Sequence, residues 1–436
     1  MTRFSNKMDR IKTPGIIAAI LSIIILFCNY KSVAQTRVSN SDESKVPPYI
    51  LPDPLKMADG KEVKTKEEWV TIQRPRIYHL YEEIQFGRFP LKHPPIKYRV
   101  IETADKALQG RATRRQVRIY LHPADTSVYI DLLIYLPNKI KKPVPVFIGY
   151  NFGGNQIIQS DPAILITKNW VLTGEKGSVN NKATDSSRGS SASQWQVEEI
   201  LSHGYALATA YYGDLEPDHP DGWKTGIRSS LKDILNIQPE EWSAMGAWAY
   251  GLSRMMDYLQ QDKDVNAAKV ALMGHSRLGK AALWAGASDA RFALIISNES
   301  GEGGAALSKR WYGETVKIIT DVFPHWFVAE YKTYGDSVEA LPIDSHMLLS
   351  LIAPRPLYVA SAEGDQWSDP KGEFLSSKEA GRVYSLFGEW GIDTDNMPPL
   401  NHPVGDYVRY HIRDGKHDVT LYDWQQYIQF ADSKLK

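Results

Sequence analysis

The chain of 436 residues contains a single cysteine, Cys28, inside an apolar N-terminal stretch. Once that stretch is removed, disulfides, thiolate nucleophiles and cysteine-ligated metals are excluded, so stability has to come from the packed core. An excess of charge of one sign is also missing. Lysine plus arginine and aspartate plus glutamate both number 51, which leaves no long-range field to recruit nucleic acid or an anionic membrane. The short lysine-rich stretch Lys139 to Lys142 reads as a solvated loop. No His-Glu-x-x-His motif occurs, which disfavours metal-assisted hydrolysis, and neither a metal nor a cofactor is expected. With 43% hydrophobic and 11% aromatic residues, the chain is far too apolar to be disordered.

The N-terminus has Arg3, Lys7, Arg10 and Lys12, an apolar run from Ile16 to Cys28, and then Ser32-Val33-Ala34 with small residues where a signal peptidase reads. The run is shorter than the ~20 residues of a spanning helix. Residues 1–34 therefore read as a signal peptide cleaved after Ala34, and the mature protein as secreted or periplasmic, with no membrane partner. Bulky Phe27 argues against Cys28 as a lipoprotein cysteine. Residues 35–60 are polar and punctuated by proline, a leader to which no structure is assigned. Residues 61–436 are expected to form a single α/β domain with insertions.

Glu67 to Phe86 carries apolar residues at helical spacing, with Pro75 beginning or kinking a helix. Strand-like runs follow at Gln116–Leu121, Val128–Tyr135, Val144–Tyr150, Ala206–Tyr211, Val270–Met273, Ala293–Ser297 and Leu357–Ala360. Trp242–Gln260, Gly279–Ala287 and Leu421–Leu435 read as helices. Antiparallel-looking strands first and βα alternation later indicate a doubly wound, mostly parallel α/β sheet with its early strands at one edge. Ser160 to Gln196 is rich in Ser, Asn, Gly and Asp and reads as a long loop that cannot supply a core; a second insertion is placed at Gly303 to Ser345. Long loops of this kind often carry function.

The apolar run Val270 to Met273 meets the helical Ala281-Ala282-Leu283-Trp284 through Gly274-His275-Ser276-Arg277-Leu278-Gly279-Lys280. This strand–turn–helix reads as a nucleophile elbow presenting Ser276, the turn of the α/β-hydrolase fold. Small residues must flank the serine because the strained turn draws backbone segments together. Gly274 meets that need on one side. On the other, glycine stands three residues after the serine, at Gly279, where the general pattern has it two after, and Leu278 takes the usual place.

The extended string resembles the signature of the glucuronoyl esterases, carbohydrate esterase family 15, with Ser276 at the nucleophile position. The resemblance continues, in order, through Asn151-Phe152-Gly153-Gly154-Asn155, Ser297-Asn298-Glu299-Ser300-Gly301-Glu302-Gly303-Gly304, Pro324-His325-Trp326-Phe327, Ile352-Ala353-Pro354-Arg355-Pro356 and Gly415-Lys416-His417-Asp418. It covers about residue 65 to the end.

In this fold the order is nucleophile, acid, base. His325, His346, His402, His411 and His417 follow Ser276. His417, in a turn before the final helix, stands where the fold places its base, whereas His411 lies in a strand-like run and reads as structural. Two carboxylates compete for the acid. Asp365 follows the strand Leu357–Ala360, the common position in the general fold; Glu299 follows Ala293–Ser297 and matches the acid of fungal family members. Some bacterial members have both, and Glu299 is placed first. For the oxyanion, the backbone N–H of Arg277 is one expected donor. The resemblance adds the Arg277 guanidinium, and Gly153-Gly154 is either the other oxyanion loop or a tight turn.

The resemblance further implies a substrate, the ester of 4-O-methyl-glucuronic acid side groups of glucuronoxylan with lignin alcohols. It also implies sugar-binding roles for Lys280, Glu314 and Trp367. The residues alone leave two rivals: an acetylxylan esterase with the same triad, and a non-catalytic carbohydrate-binding protein on a hydrolase scaffold, since 12 Trp and 23 Tyr supply stacking surfaces.

Overall fold

The computed structural model describes residues 39–436; the signal-peptide reading of residues 1–34 lies outside them. Ten strands form one sheet: β1 (Lys97–Lys106), β2 (Ala112–Tyr120), β3 (Tyr129–Pro137), β4 (Val144–Asn151), then, past the two-residue strands β5 (Ser178–Val179) and β6 (Lys182–Ala183) of a separate ribbon, β7 (Ala206–Tyr211), β8 (Val265–His275), β9 (Leu294–Asn298), β10 (Leu357–Ala362), β11 (Val404–Gly405) and β12 (Val408–Arg413). Their order is β1-β2-β3-β7-β4-β8-β9-β10-β12-β11. The first three neighbour pairs are antiparallel, the five from β7–β4 to β10–β12 are parallel, and β11 turns back antiparallel on β12. The expected edge of early antiparallel strands is there.

Strand side chains alternate between two cores. Val146, Ile148, Val270, Leu272, Leu357 and Val359 point to one face, and Phe147, Ala271, Met273, Tyr358 and Ala360 to the other. Both faces of the parallel strands are covered, which is why these runs are apolar throughout instead of alternating with polar residues. The first core packs under α1 (Arg74–Tyr81) and three longer helices: α3 (Ala244–Leu259), α4 (Arg277–Ser288) and α5 (Pro370–Tyr384). The second lies under α2 (Val197–Ser202) and α6 (Leu421–Leu435). Trp248 and Trp284 anchor one side and Trp424 the other, all with no exposed surface. Pro75 is the second residue of α1, which continues directly from the π-helical stretch Trp69–Gln73.

One reading of a low-complexity segment needs correction. Residues 160–196 do contribute to the cores: Ile164, Val171 and Trp195 are buried, because an otherwise polar loop closes over them. The leader is also fastened from residue 40 onward. Asn40 O accepts from Gly313 N at 2.7 Å, the Tyr312 hydroxyl donates to Ser41 O at 3.0 Å, and Glu43 accepts from Arg310 at 2.8 Å and Lys371 at 2.6 Å. Backbone hydrogen bonds and ion pairs hold it with little regular structure. Residues Asn40–Lys436 form one compact unit.

β1 is an outer edge of the sheet. It is exposed along most of its length, carries Lys97, Arg99, Glu102, Asp105 and Lys106, and has a register shift between Val100 and Glu102. The other edge, β11, is two residues long.

Candidate active site

β8 ends at His275, and Ser276 follows at φ 56°, ψ −130° as the residue before α4. A side chain other than glycine held there stores roughly 1–3 kcal/mol of backbone strain. The turn is secured by Ser276 N donating to Asn298 O at 2.9 Å. Packing explains the shifted glycine pattern. A Cβ on Gly274 would meet Leu278 O at 2.1 Å, and one on Gly279 would meet Ser300 Cβ at 2.9 Å. The close approaches fall on Gly274 and Gly279, and Leu278 is free to bury its side chain in the first core.

The C-terminal ends of successive parallel strands deliver the other groups, as expected for ligand sites in open α/β sheets. β9 is followed by Glu299, β10 by Asp365 and β12 by His417. Both carboxylates reach one imidazole nitrogen: His417 Nδ1 lies 2.6 Å from Asp365 Oδ2 and 3.0 Å from Glu299 Oε2. Glu299 holds an unusual φ of 47° and is anchored by Arg413 Nη2 on Oε1 at 2.6 Å and by Asp418 N on Oε2 at 3.1 Å. Burial disfavours a charged His417, but the hydrogen bonds and charges of Asp365 and Glu299 outweigh it and raise the pKa to about 9. Burial pushes Glu299 up to about 7 against the pull of His417 and Arg413. Asp365 also suffers burial, yet its bond to His417 holds it below the usual carboxylate range.

Arg277 is the first residue of α4, so its backbone N–H has no partner within the helix. Its guanidinium lies against Trp326, Phe152 and Phe323, with 5.1, 5.6 and 5.8 Å to the ring centroids. Gly154 N donates to the Asn151 side chain at 2.8 Å, so that glycine serves the tight turn and offers no free N–H to an oxyanion. Lys280 and Glu314, both buried, face each other at 3.8 Å, and Lys280 Nζ donates to Ser300 O at 2.5 Å. Burial weakens the Lys280 cation while Glu314 supports it; burial likewise raises Glu314, against Lys280 and Trp367. Trp367 is 47% exposed, close to Asp365, and its carbonyl accepts from Glu314 N at 2.9 Å. Lys280, Glu314 and Trp367 thus form one wall. His411 is fully buried between the Tyr358 hydroxyl and Asp423, at 2.9 Å from each.

Sequence reasoning missed several residues. The His275 ring lies against that of His417, tilted, with centroids 4.5 Å apart, and gives Asn298 a 2.6 Å contact from Nδ1; burial and the neighbouring His417 lower its pKa to about 3. It stood inside the elbow string unremarked. Arg413, between Glu299 and Asp423, and Asp218, on Arg277, carry no local motif. His275, Glu299 and His417 bring possible metal-ligand atoms within 4.8 Å of one another. Three atoms of this group already have partners: Glu299 Oε1 meets Arg413, His417 Nδ1 meets Asp365 and His275 Nδ1 meets Asn298.

A serine on a strained strand-to-helix turn above a mostly parallel, doubly wound sheet makes this an α/β-hydrolase. Residues 235–388 match the family model described as glucuronyl esterase, fungi. The chain is 46% identical over 405 residues to the carbohydrate esterase MZ0003 of an unknown prokaryotic organism, covering 92% of this chain and 93% of that one. It is 27% identical to a 4-O-methyl-glucuronoyl methylesterase of Schizophyllum commune, over 85% of this chain and 82% of the relative. A glucuronoyl esterase structure from Solibacter usitatus superposes with a TM-score of 0.85 at 50% identity, covering 91% of this chain and 100% of that one. The chain belongs to the glucuronoyl esterases of carbohydrate esterase family 15.

Proposed function

We propose that the protein hydrolyses esters joining 4-O-methyl-glucuronic acid side groups of glucuronoxylan to lignin alcohols, through an acyl-enzyme on Ser276. The observation that carries this reading is the pair of carboxylates on His417 Nδ1, beside an elbow serine in a chain whose relatives bear glucuronoyl esterase names. His417 Nε2 takes the Ser276 proton as Oγ attacks the ester carbonyl, and the imidazolium is stabilised by Asp365 and Glu299. The oxyanion is received by the Arg277 N–H and guanidinium. His417 then protonates the departing alcohol. Water, deprotonated by the same imidazole, releases the uronic acid and restores Ser276. Lys280 and Glu314 pair the ring hydroxyls, and Trp367 covers the apolar edge of the sugar. On this reading the enzyme acts outside the cytoplasm, where its polymer substrate lies.

The test is a side-by-side assay of methyl glucuronate, methyl galacturonate and acetylated xylose, with Ser276→Ala as control. Glucuronate should be preferred, because inverting one ring position leaves a buried polar group unpaired at a cost of about 1–3 kcal/mol. Ser276→Ala should abolish turnover with the fold intact. Equal rates on the two uronates would remove the sugar-specificity reading, faster acetate release would favour an acetylxylan esterase, and turnover surviving in Ser276→Ala would end the serine mechanism.

A further inference from the structure

The Arg277 guanidinium is gripped from one side. Nη1 donates to Asp218 Oδ2 at 2.6 Å, and the same oxygen accepts from the Tyr212 hydroxyl at 2.9 Å. Asp218 Oδ1 accepts from His325 Nε2 at 2.8 Å and from Trp326 Nε1 at 2.7 Å. Asp218 is buried, and its two oxygens together accept four hydrogen bonds. Burial disfavours its charge, but His325, Arg277 and Trp326 prevail and hold its carboxyl at about 2. It is therefore a fixed anion throughout the range in which the enzyme can work.

The opposite edge of the guanidinium is unused. Arg277 Nε is buried and has no hydrogen-bond partner among the described residues, and Nη2 forms none either. Nε and Nη2 point their hydrogens along one edge, away from Nη1, in the fork that Arg presents to an oxygen acceptor. A buried donor left unpaired costs about 1–3 kcal/mol, so this side chain carries an unmet demand for an acceptor one residue from Ser276. The aromatic rings of Trp326 and Phe152 restrict where the plane can tilt, but they set no rotation within the plane. Among the described residues the hydrogen bond to Asp218 does that.

We infer that Asp218 is a positioning residue for ester hydrolysis: by pinning Nη1 it aims the free Nε/Nη2 edge of Arg277 at the developing oxyanion. This rests on the reading of Arg277 as an oxyanion donor. His325 and Trp326 serve in turn to fix Asp218, which gives the Pro324-His325-Trp326-Phe327 segment its place in the site.

The experiment is a double-mutant cycle on methyl glucuronate with Asp218→Asn, Arg277→Ala and the pair, reading kcat, KM and melting temperature, and with Asp218→Glu as the charge-keeping partner. Misaiming a donor used mainly in the transition state should lower kcat by about tenfold to a hundredfold in Asp218→Asn, with KM little changed. Asp218→Glu should recover part of that loss, and Asp218→Asn should do nothing further once Arg277 is alanine. If Asp218→Asn does not fold, Asp218→Glu is read in the same cycle. Parental kcat in folded Asp218→Asn, or a loss in an Asp218 variant that is equal with and without Arg277, overturns the inference and leaves the oxyanion reading standing. Parental kcat in Arg277→Ala removes the oxyanion reading, and this inference with it.

Discussion

His417 is served by two carboxylates where one would orient it, and the arrangement has a consequence for pH. In the proposed mechanism His417 must be neutral to accept the serine proton, and Asp365 and Glu299 raise its pKa to about 9. In the free enzyme kcat/KM should therefore rise with pH towards that value. Glu299→Gln or Asp365→Asn each removes one stabiliser of the imidazolium, so the acidic limb should move down towards the ordinary histidine value near 6.5. Each single change should leave partial activity, and the double change should be far worse than their product, because both act on one ring. Profiles of kcat/KM against pH decide the matter: an acidic limb that stays in place in both single variants contradicts shared support. At this scale the places of Ser276 on the elbow and of His417 after the last long strand of the sheet were legible because the chain order of the fold fixes them. His275, Arg413 and Asp218 were not, since each works through a contact between strands or loops far apart in sequence.

Among the elements, the leader and the wall it touches form a chain of contacts. Asn40, Ser41 and Glu43 bind residues 310–313, and Gly313 sits so close to Trp367 that a Cβ there would meet the Trp367 carbonyl at 2.3 Å. Trp367 and Glu314 are thereby held from behind. Deleting residues 35–45 should raise KM for methyl glucuronate severalfold and leave kcat nearly unchanged, as Michaelis parameters on the purified protein would show; a loss confined to kcat would mean that the leader supports the triad instead. Such docking is hard to read from sequence because polar, proline-rich segments look alike whether tied down or free. The same limit hid β1, whose charged, exposed edge lacks the apolar run of a central strand, and α5, whose apolar face is interrupted by the buried Ser376, Ser377 and Glu373, the last two of them hydrogen-bonded. The central strands β4, β7, β8, β9 and β10 were plain because burial on both faces gives each a continuous apolar run.

Across the whole molecule, the requirements of catalysis and of stability pull apart above neutrality. Burial raises the pKa of Glu302 to about 8, although Tyr331 and Ser308 donate to it, and raises that of Glu373 to about 8 against Ser361 and the Gly301 N–H. In the unfolded chain both would titrate near 4.3. Their protons are therefore bound in the folded state and released in the unfolded state between those values, so stability falls as pH rises through about 8. His417 acts in the same direction: its raised pKa contributes stability that is complete below about 6.5 and lost as pH rises through about 9. His275 and His346, lowered to about 3 and about 4 chiefly by burial, cost stability only on the acid side, below about 6.5. The melting temperature should thus decline from pH 7 to pH 9 while kcat/KM climbs; scanning calorimetry showing a rise over that interval would refute the assignment of protonated Glu302 and Glu373.

The rims of the sheet bear on how the protein behaves as a colloid. A second sheet laid along β1 would have to accommodate the charges of Lys97, Arg99, Asp105 and Lys106 and a break in register, and the opposite rim offers only two residues to pair with. Neither rim is a template on which copies could stack, so concentrated solutions of the native enzyme should stay clear, and turbidity on heating should begin only after the fold itself has opened.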